Sequence, residues 1–192
     1  FDFDLNTKIA DENIKITFEK ANKIINKDLE NIIFNDYQIY RRNNKDLSCK
    51  RHKKIFNDFN VIPKNCFGCY KIIIEPKTVI DLVKTYILFD YIRLENNNIR
   101  KCMIETRPNI QGTYKSLIYC ESLDEAELML KKLKVIFGKI INENININVK
   151  RGCTEFAMAY PAYKDYKNDL MKYEENWKEK EDLIDKKFPN LI

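Results

Sequence analysis

The residues most able to do chemistry in this 192-residue sequence stand between positions 49 and 69. They form two short pairs, Cys49-Lys-Arg-His52 and Cys66-Phe-Gly-Cys69, with thirteen residues between them. Each pair spaces two soft donors so that both can bind one ion, and the intervening segment lets the pairs meet. Zinc prefers thiolate and imidazole ligands in a tetrahedral set. The spacing therefore predicts a zinc site with the ligands Cys49, His52, Cys66 and Cys69.

The predicted zinc is structural. His52 is the single histidine of the sequence, and the sequence contains neither a His-x-Glu nor a His-Glu-x-x-His pattern of the kind that accompanies catalytic zinc. A closed four-ligand site would tie the N-terminal segment to the strand after Cys69 and would contribute folding energy directly. Two other interpretations stay open. In the first, the four residues bind no metal and are ordinary buried cysteines with a surface histidine in a basic run. In the second, Cys66 and Cys69 form a redox pair.

The other three cysteines are interpreted separately. Cys102 and Cys120 stand opposite each other in a predicted hairpin and are interpreted as core thiols. Cys153 follows Gly152 at a strand end, where a nucleophilic thiol would need a base. Paired spacing with a histidine favours metal and free thiols over disulfides. The sequence has no recognisable secretory leader and no apolar run long enough for a membrane span, so a cytoplasmic protein is expected.

Hydrophobic periodicity predicts the elements that position these residues. Residues 9 to about 42 repeat apolar side chains at three- and four-residue steps, which predicts one or two helices. After Cys69 the pattern predicts, in order, strand 70–75, helix 78–93, strands 100–107 and 114–121, helix 122–141 and strand 145–151. This order predicts an α+β fold with a ferredoxin-like βαββαβ core, in which two helices cover one face of a four-stranded antiparallel sheet.

The predicted organisation has three parts within one compact unit. Residues 1–65 form an N-terminal helical segment with the first metal knuckle, residues 66–160 form the ferredoxin-like α+β core, and residues 161–192 form a charged C-terminal helix. Alternation along the core strands predicts an apolar face that includes Ile72 and Cys102, and a charged face on the opposite side of the sheet.

The charged face and the basic run beside the predicted zinc favour nucleic-acid binding, to RNA or single strands. The net charge of +5, from 34 basic and 29 acidic side chains, is compatible with an acidic partner. The predicted topology resembles that of the RNA-recognition-motif class, whose sheet aromatics stack bases, although Ser116 stands where the central aromatic belongs. The predicted contacts are Lys50, Arg51, Lys53, Lys54, Arg107, Lys115, Tyr119 and Lys150.

Two further function classes stay open. An adaptor or complex subunit would bind a protein through the C-terminal helix, whose thin apolar stripe contains Trp177. The charged face is also compatible with a solvated surface balanced by cross-strand ion pairs. A transferase or hydrolase acting on an anionic small molecule would instead use carboxylates, guanidinium groups and a phenol on that face. Its candidate residues are Glu105, Arg107, Tyr119, Arg151 and Glu155.

Overall fold

The computed structural model describes residues 10–25, 38–43, 45–168 and 170–191, and it confirms a mixed α+β architecture. One antiparallel sheet contains five strands in the order β1-β3-β4-β2-β5. The strands are β1 (Gln38–Arg42), β2 (Tyr70–Glu75), β3 (Arg100–Ile104), β4 (Tyr114–Cys120) and β5 (Asn146–Arg151). The α-helices of the described part are α1 (Asp11–Ile25), α2 (Cys49–Phe59), α3 (Lys64–Phe67), α4 (Val79–Tyr91), α5 (Leu123–Ile140), α6 (Thr154–Ala159), α7 (Pro161–Lys164) and α8 (Lys178–Lys187). Within these ranges, none of the helices combines the length and the apolar character needed to cross a membrane.

The sheet has the predicted apolar face, but the predicted hairpin register is wrong. Cys102 lies opposite Ser116 instead of Cys120. Because side chains alternate between faces, a shift by an even number of residues leaves the same side chains on the same face. Ile72, Cys102 and Cys120 are accordingly all buried on the apolar side.

The helices α4 and α5 cover this face, and each follows a residue whose side chain caps the first turn. The Thr78 hydroxyl accepts a hydrogen bond from the Asp81 amide at 3.1 Å. The Ser122 hydroxyl accepts one from the Glu125 amide, also at 3.1 Å. These bonds satisfy amides that the first helical turn leaves without partners. The first hydrophobic cluster forms between these helices and the sheet, and its buried helical members include Leu82, Leu88, Phe89, Leu133 and Phe137.

Strand β1 lies where the sequence predicted a helix extending to about residue 42, so that prediction is wrong over Gln38–Arg42. The strand adds a fifth member to the four that were predicted. It pairs with β3 at the edge of the sheet. The ring of Tyr40 packs against Tyr86 and Phe89 of α4, with centroid distances of 4.9 and 6.4 Å. This packing and the hydrogen bonds of the ladder outweigh a weak local helical pattern. The part of this predicted helical stretch over residues 26–37 lies outside the described residues.

A second hydrophobic cluster joins α2 and α3 to the C-terminal elements, and it includes Ile55, Trp177 and Ile184. The prediction of a single charged helix within residues 161–192, running from residue 164 to residue 187, is wrong, because residues 165–168 and 170–174 are not helical. In this connection the Tyr173 ring lies 6.0 Å from both Phe67 and Trp177. These aromatic contacts fold the segment back onto the cluster, so the helix resumes only at α8.

Gly152 ends β5 in a conformation that requires glycine. Its φ is +53°, in the left-handed region that L side chains rarely adopt. A Cβ atom at this position would overlap the hydroxyl of Tyr163. The residue directly follows Arg151, the last paired residue of β5, and so lies outside the strand.

We expect Gly152→Ala to lower the free energy of unfolding by about 2–4 kcal/mol, because backbone strain adds to the overlap with Tyr163. Urea denaturation measures this change. Gly138→Ala is the control, since its Cβ would lie 3.7 Å from the nearest neighbouring atom and alanine favours the helix. Equal stability effects for the two variants would contradict the role assigned to Gly152.

Candidate functional site

A cavity of about 370 Å³ lies where α2 and α3 meet the ends of β2, β4 and β5. Its volume falls in the range of small-ligand sites. All four predicted zinc ligands line this cavity, although they come from two separate segments. Cys153, which sequence reasoning treated separately, lines it as well.

The first ligand pair lies on a helix and not in the predicted knuckle loop. Cys49 and His52 are three residues apart at the start of α2, so their side chains lie on the same side of the helix. His52 is buried, and its Nε2 atom has no hydrogen-bond partner among the described residues. Burial lowers the pKa of His52, and the neighbouring Arg51 lowers it further, so the neutral imidazole is favoured.

Of the second predicted pair, Cys66 lies in the short helix α3 and Cys69 follows it, and the Cys69 amide donates to the Cys66 carbonyl at 3.3 Å. Several bonds hold this Cys66–Cys69 turn against the end of β5. The Gly152 amide donates to the Cys69 carbonyl at 2.7 Å. The Tyr163 hydroxyl donates to the Cys66 carbonyl at 2.6 Å. The backbone next to Cys153 is therefore joined directly to the turn that carries Cys66 and Cys69.

Arg151 reinforces this junction. Its Nε donates to the Phe67 carbonyl at 3.1 Å, and its guanidinium lies over the rings of Phe67 and Tyr163 at 4.7 and 4.9 Å. Such stacking on aromatic faces stabilises a buried guanidinium. Arg151 thus holds the loop and the strand together.

The cavity thiols affect one another electrostatically. Burial raises the pKa of Cys66, and Cys153 and Cys69 raise it further. Burial also raises the pKa values of Cys49 and Cys69; in both cases Cys153 raises and Lys71 lowers the pKa. Protonated thiols are therefore favoured unless a cation binds, since metal coordination deprotonates a thiol. Among the described side chains, no group of three or more His, Cys, Asp or Glu is already arranged to hold a metal ion.

Lys71 is a buried lysine beside these thiols. Its Nζ donates to the Gly152 carbonyl at 3.0 Å and lies 3.6 Å from the Cys153 sulfur. It also lies 4.9 Å from the centre of the Tyr119 ring, while Lys101 lies 5.9 Å from the same ring. Burial lowers the pKa of Lys71, but Cys153, Tyr119 and Cys69 outweigh burial and leave the pKa raised. The ammonium form is therefore favoured.

Several predicted nucleic-acid contacts on α2 are engaged within the protein. Arg51 pairs with Asp185 at 2.5 Å and with Glu181 at 3.1 Å, and its side chain is only 12% exposed. Lys54 pairs with Asp58 at 2.7 Å. The remaining two, Lys50 and Lys53, are exposed, although Lys53 lies 3.8 Å from Glu155.

The predicted contacts on the sheet are also partly covered. Lys115 is buried and lies 3.6 Å from Glu105. Lys150 bonds to the Thr154 hydroxyl of α6, and burial together with nearby Lys71 lowers its pKa to about 8. Since α6 contacts the strands here, this side of the sheet differs from the open platform expected from the sequence.

The structure divides the predicted catalytic set among three places. Arg107 donates to both carboxylate oxygens of Glu105 at 2.8 Å, and it also pairs with Glu155. Tyr119 lies in the cavity, which neither Glu105 nor Arg107 lines. Arg151 packs on Phe67 and Tyr163, as described above. The five residues therefore do not converge on one substrate site.

Trp177, which suggested a protein partner, packs against its own chain. It is 8% exposed, and its ring lies 6.0 Å from both Tyr160 and Tyr173. Its apolar surface is thus used to attach the C-terminal segment.

No protein-family model, curated protein or solved structure matches this chain.

Glu105 provides a pH-dependent test of the ion-pair network. Hydrogen bonds from Arg107 hold the pKa of its carboxyl group at about 2, against a usual value of about 4.3. The ionised carboxylate therefore stabilises the fold above about pH 4.3, and this contribution is lost as the pH falls through about 2.

We expect Glu105→Gln to lower the free energy of unfolding by about 2–4 kcal/mol at pH 7, because it leaves the buried Lys115 without its counter-charge and leaves Arg107 with Glu155 alone. The difference from the unmodified protein should narrow as the pH falls towards 2, as measured by urea denaturation. Glu95→Gln is the control, since Glu95 is an exposed partner of Lys132. Unchanged stability of Glu105→Gln at pH 7 would refute this account of the network.

Proposed function

We propose that this chain is a zinc-binding protein in which one structural zinc ion joins α2 and α3 to the sheet. The observation that carries this proposal is the convergence of Cys49, His52, Cys66 and Cys69 on one cavity. These residues fit the ion chemically, because thiolates and imidazole are its preferred ligands. The buried Nε2 atom of His52 supports the same site, since buried polar atoms normally have a partner.

The positions of the donors support a structural role. The candidate ligands lie on separate elements, so one ion would cross-link parts of the chain that otherwise meet through side-chain packing and a few hydrogen bonds. Metal binding of this kind adds directly to folding free energy. All six cysteines are free thiols, which supports a reducing compartment such as the cytoplasm.

We also propose that the strands after residue 69 form a ferredoxin-like core. Their order across the sheet, β5-β2-β4-β3, supports this assignment. The placement of α4 and α5 on one face supports it as well. In this view β1 extends the core at the β3 edge.

We expect elemental analysis of the purified protein to find about one zinc ion per chain. Removing zinc with a chelator should lower the free energy of unfolding by about 4 kcal/mol if free zinc had been at 1,000 times its dissociation constant. Cys66→Ser should reduce zinc content, because it removes a ligand.

Cys102→Ala is the matched control, since Cys102 is buried on the apolar face beside Ser116 and does not line the cavity. This variant should retain about one zinc ion. Purified protein that contains no metal and takes up neither Zn²⁺ nor Co²⁺ would refute the proposal.

Binding of single-stranded nucleic acid is a second function, supported by a narrower observation. A run of basic side chains near the cavity is exposed to solvent, and cations on one surface bind phosphates with release of counterions. Arg51 and Lys54 form ion pairs in less exposed surroundings and contribute less. Arg42, Lys45 and Lys53 also pair with carboxylates, but these three side chains stay exposed. The exposed members are Arg41, Arg42, Lys45, Lys50 and Lys53.

We expect a fluorescent single-stranded oligonucleotide to bind at about 50 mM salt and to dissociate steeply as salt rises towards about 200 mM. Combining Lys50→Glu with Lys53→Glu should weaken binding by about tenfold or more in an anisotropy titration. The control combines Lys131→Glu with Lys132→Glu on α5, which makes the same charge change at exposed positions. Equal loss of binding in both pairs, or no binding of the unmodified protein at about 50 mM salt, would count against this function.

A further inference from the structure

We propose that a phosphate group binds where the cavity meets the sheet, held by Lys71, Lys101 and Tyr119. This inference goes beyond the proposed zinc site, because none of these three residues is a proposed zinc ligand. Three features of the structure carry it: the pairing of the strands, the distances of the two lysines from the Tyr119 ring, and the partners of the nearby carboxylates.

Strand pairing gathers these residues and a further lysine on one face of the sheet. Lys71 lies directly opposite both Tyr119 and Lys150 on the neighbouring strands. Lys101 lies opposite Leu117, two residues before Tyr119, so alternation places Lys101 on the same face. Like charges directly opposite each other destabilise a sheet. The Lys71–Lys150 pair therefore has a cost in free energy that a bound anion would offset.

The two ammonium groups that would contact the phosphate lie over one ring. The Nζ atoms of Lys71 and Lys101 are 4.9 and 5.9 Å from the centre of the Tyr119 ring. The face of the ring attracts cations but carries no net charge, so it offsets only part of their repulsion. Lys71 donates to the Gly152 carbonyl and lies beside the Cys153 sulfur, which leaves its third donor for a ligand. This donor, the Lys101 ammonium and the Tyr119 hydroxyl suit an oxoanion such as phosphate.

The carboxylates that line the cavity have other partners. Glu121 pairs with Lys45 at 3.2 Å, and Asp46 accepts the amide two residues after it at 2.8 Å. Within the described ranges, no carboxylate forms an ion pair with Lys71 or Lys101. Lys71 is only 5% exposed, and a buried cation is costly without a counter-charge. A bound phosphate would provide that counter-charge.

A phosphate can reach this site through the cavity, which Lys71 and Tyr119 both line. The volume of about 370 Å³ is large enough for a small phosphorylated molecule. Zinc binds its ligands at about 2.0–2.3 Å, so one ion would fill only a small part of this space. Three thiolates and one neutral imidazole leave a zinc complex with a single negative charge, which one lysine balances. The phosphate site is therefore compatible with the proposed zinc site and does not depend on it.

The phosphate group belongs either to a small molecule or to a nucleic-acid strand, since both present the same oxygens. Arg41 of β1 lies opposite Lys101 and is exposed, so it continues the cations towards the exposed basic run near the cavity. A strand would extend from the phosphate site along these cations, whereas a nucleoside monophosphate would be contained in the cavity. Binding of a free mononucleotide and binding of an oligonucleotide distinguish the two sources.

Isothermal titration calorimetry of the unmodified protein tests the site with inorganic phosphate, adenosine monophosphate and adenosine. We expect inorganic phosphate and the monophosphate to bind with dissociation constants of about 1 mM or below. Adenosine lacks the phosphate and should bind about tenfold more weakly than the monophosphate, because the charge-assisted hydrogen bonds are lost. Failure of both phosphate probes to bind at about 10 mM overturns the proposal.

Two substitutions test the individual residues. Lys101→Met should weaken monophosphate binding by about tenfold or more, because it removes a charged donor. Tyr119→Phe keeps the ring and should weaken binding by about threefold, because it removes one hydrogen bond. Lys131→Met is the matched control and should not change the affinity, since Lys131 is exposed on α5, which covers the opposite face of the sheet. Equal affinity of Lys101→Met and Lys131→Met overturns the assignment.

A fluorescent single-stranded oligonucleotide separates this inference from the second proposed function. If a strand supplies the phosphate, Lys101→Met weakens oligonucleotide binding, and the monophosphate competes with the oligonucleotide. If a small molecule supplies it, Lys101→Met weakens monophosphate binding alone, and the phosphate site stands even where the oligonucleotide does not bind. The zinc content of Lys101→Met and Tyr119→Phe should equal that of the unmodified protein. Phosphate binding that is lost only together with zinc overturns the assignment to these two residues.

Discussion

The contact between Gly152 and the Cys66–Cys69 turn is the constraint on which the rest of the structure depends. It joins the end of β5 to the start of β2, where the sheet meets the second hydrophobic cluster. The contact is possible because Gly152 lacks a side chain, which leaves room for Tyr163. Tyr163 in turn bonds to Cys66 and belongs to the second cluster. One glycine thus permits the packing that places Cys66, Cys69 and Cys153 along one cavity.

A high density of charged residues in the sequence does not mean that their charges are free to bind a partner, because many of them pair within the protein. The exposed Arg107 pairs with Glu105 and Glu155, the buried Lys115 lies beside Glu105, and the largely buried Arg51 pairs with two carboxylates of α8. Buried cations need such partners because removal from water is costly. Lys71 differs, because its contacts are a carbonyl, a thiol and an aromatic ring. The buried amino group of Lys71 therefore lies beside the thiols of the cavity and not on the open face of the sheet.

The features of the fold that were predicted correctly are those that depend on interactions between residues close in sequence. The bounds of β2 and the apolar face of the sheet are confirmed, and α4 and α5 begin at side-chain caps close to the predicted helix starts. Each depends on residues close in sequence, through alternation or through side-chain bonds to nearby amides. The helix predicted up to residue 42 and the long C-terminal helix are wrong, since contacts with distant aromatic residues determine both segments.

The sequence by itself determined the spacing of the Cys49/His52 and Cys66/Cys69 pairs, the α+β class and the alternation that separates apolar from charged side chains. Only the tertiary structure decided that Cys49 and His52 lie on a helix, that Cys153 joins them at one cavity, and that most of the predicted charged contacts are internal. The physical reason is that pair spacing and alternation are properties of neighbouring residues. A cysteine that approaches through strand pairing and a glycine contact leaves no pattern in the sequence around it.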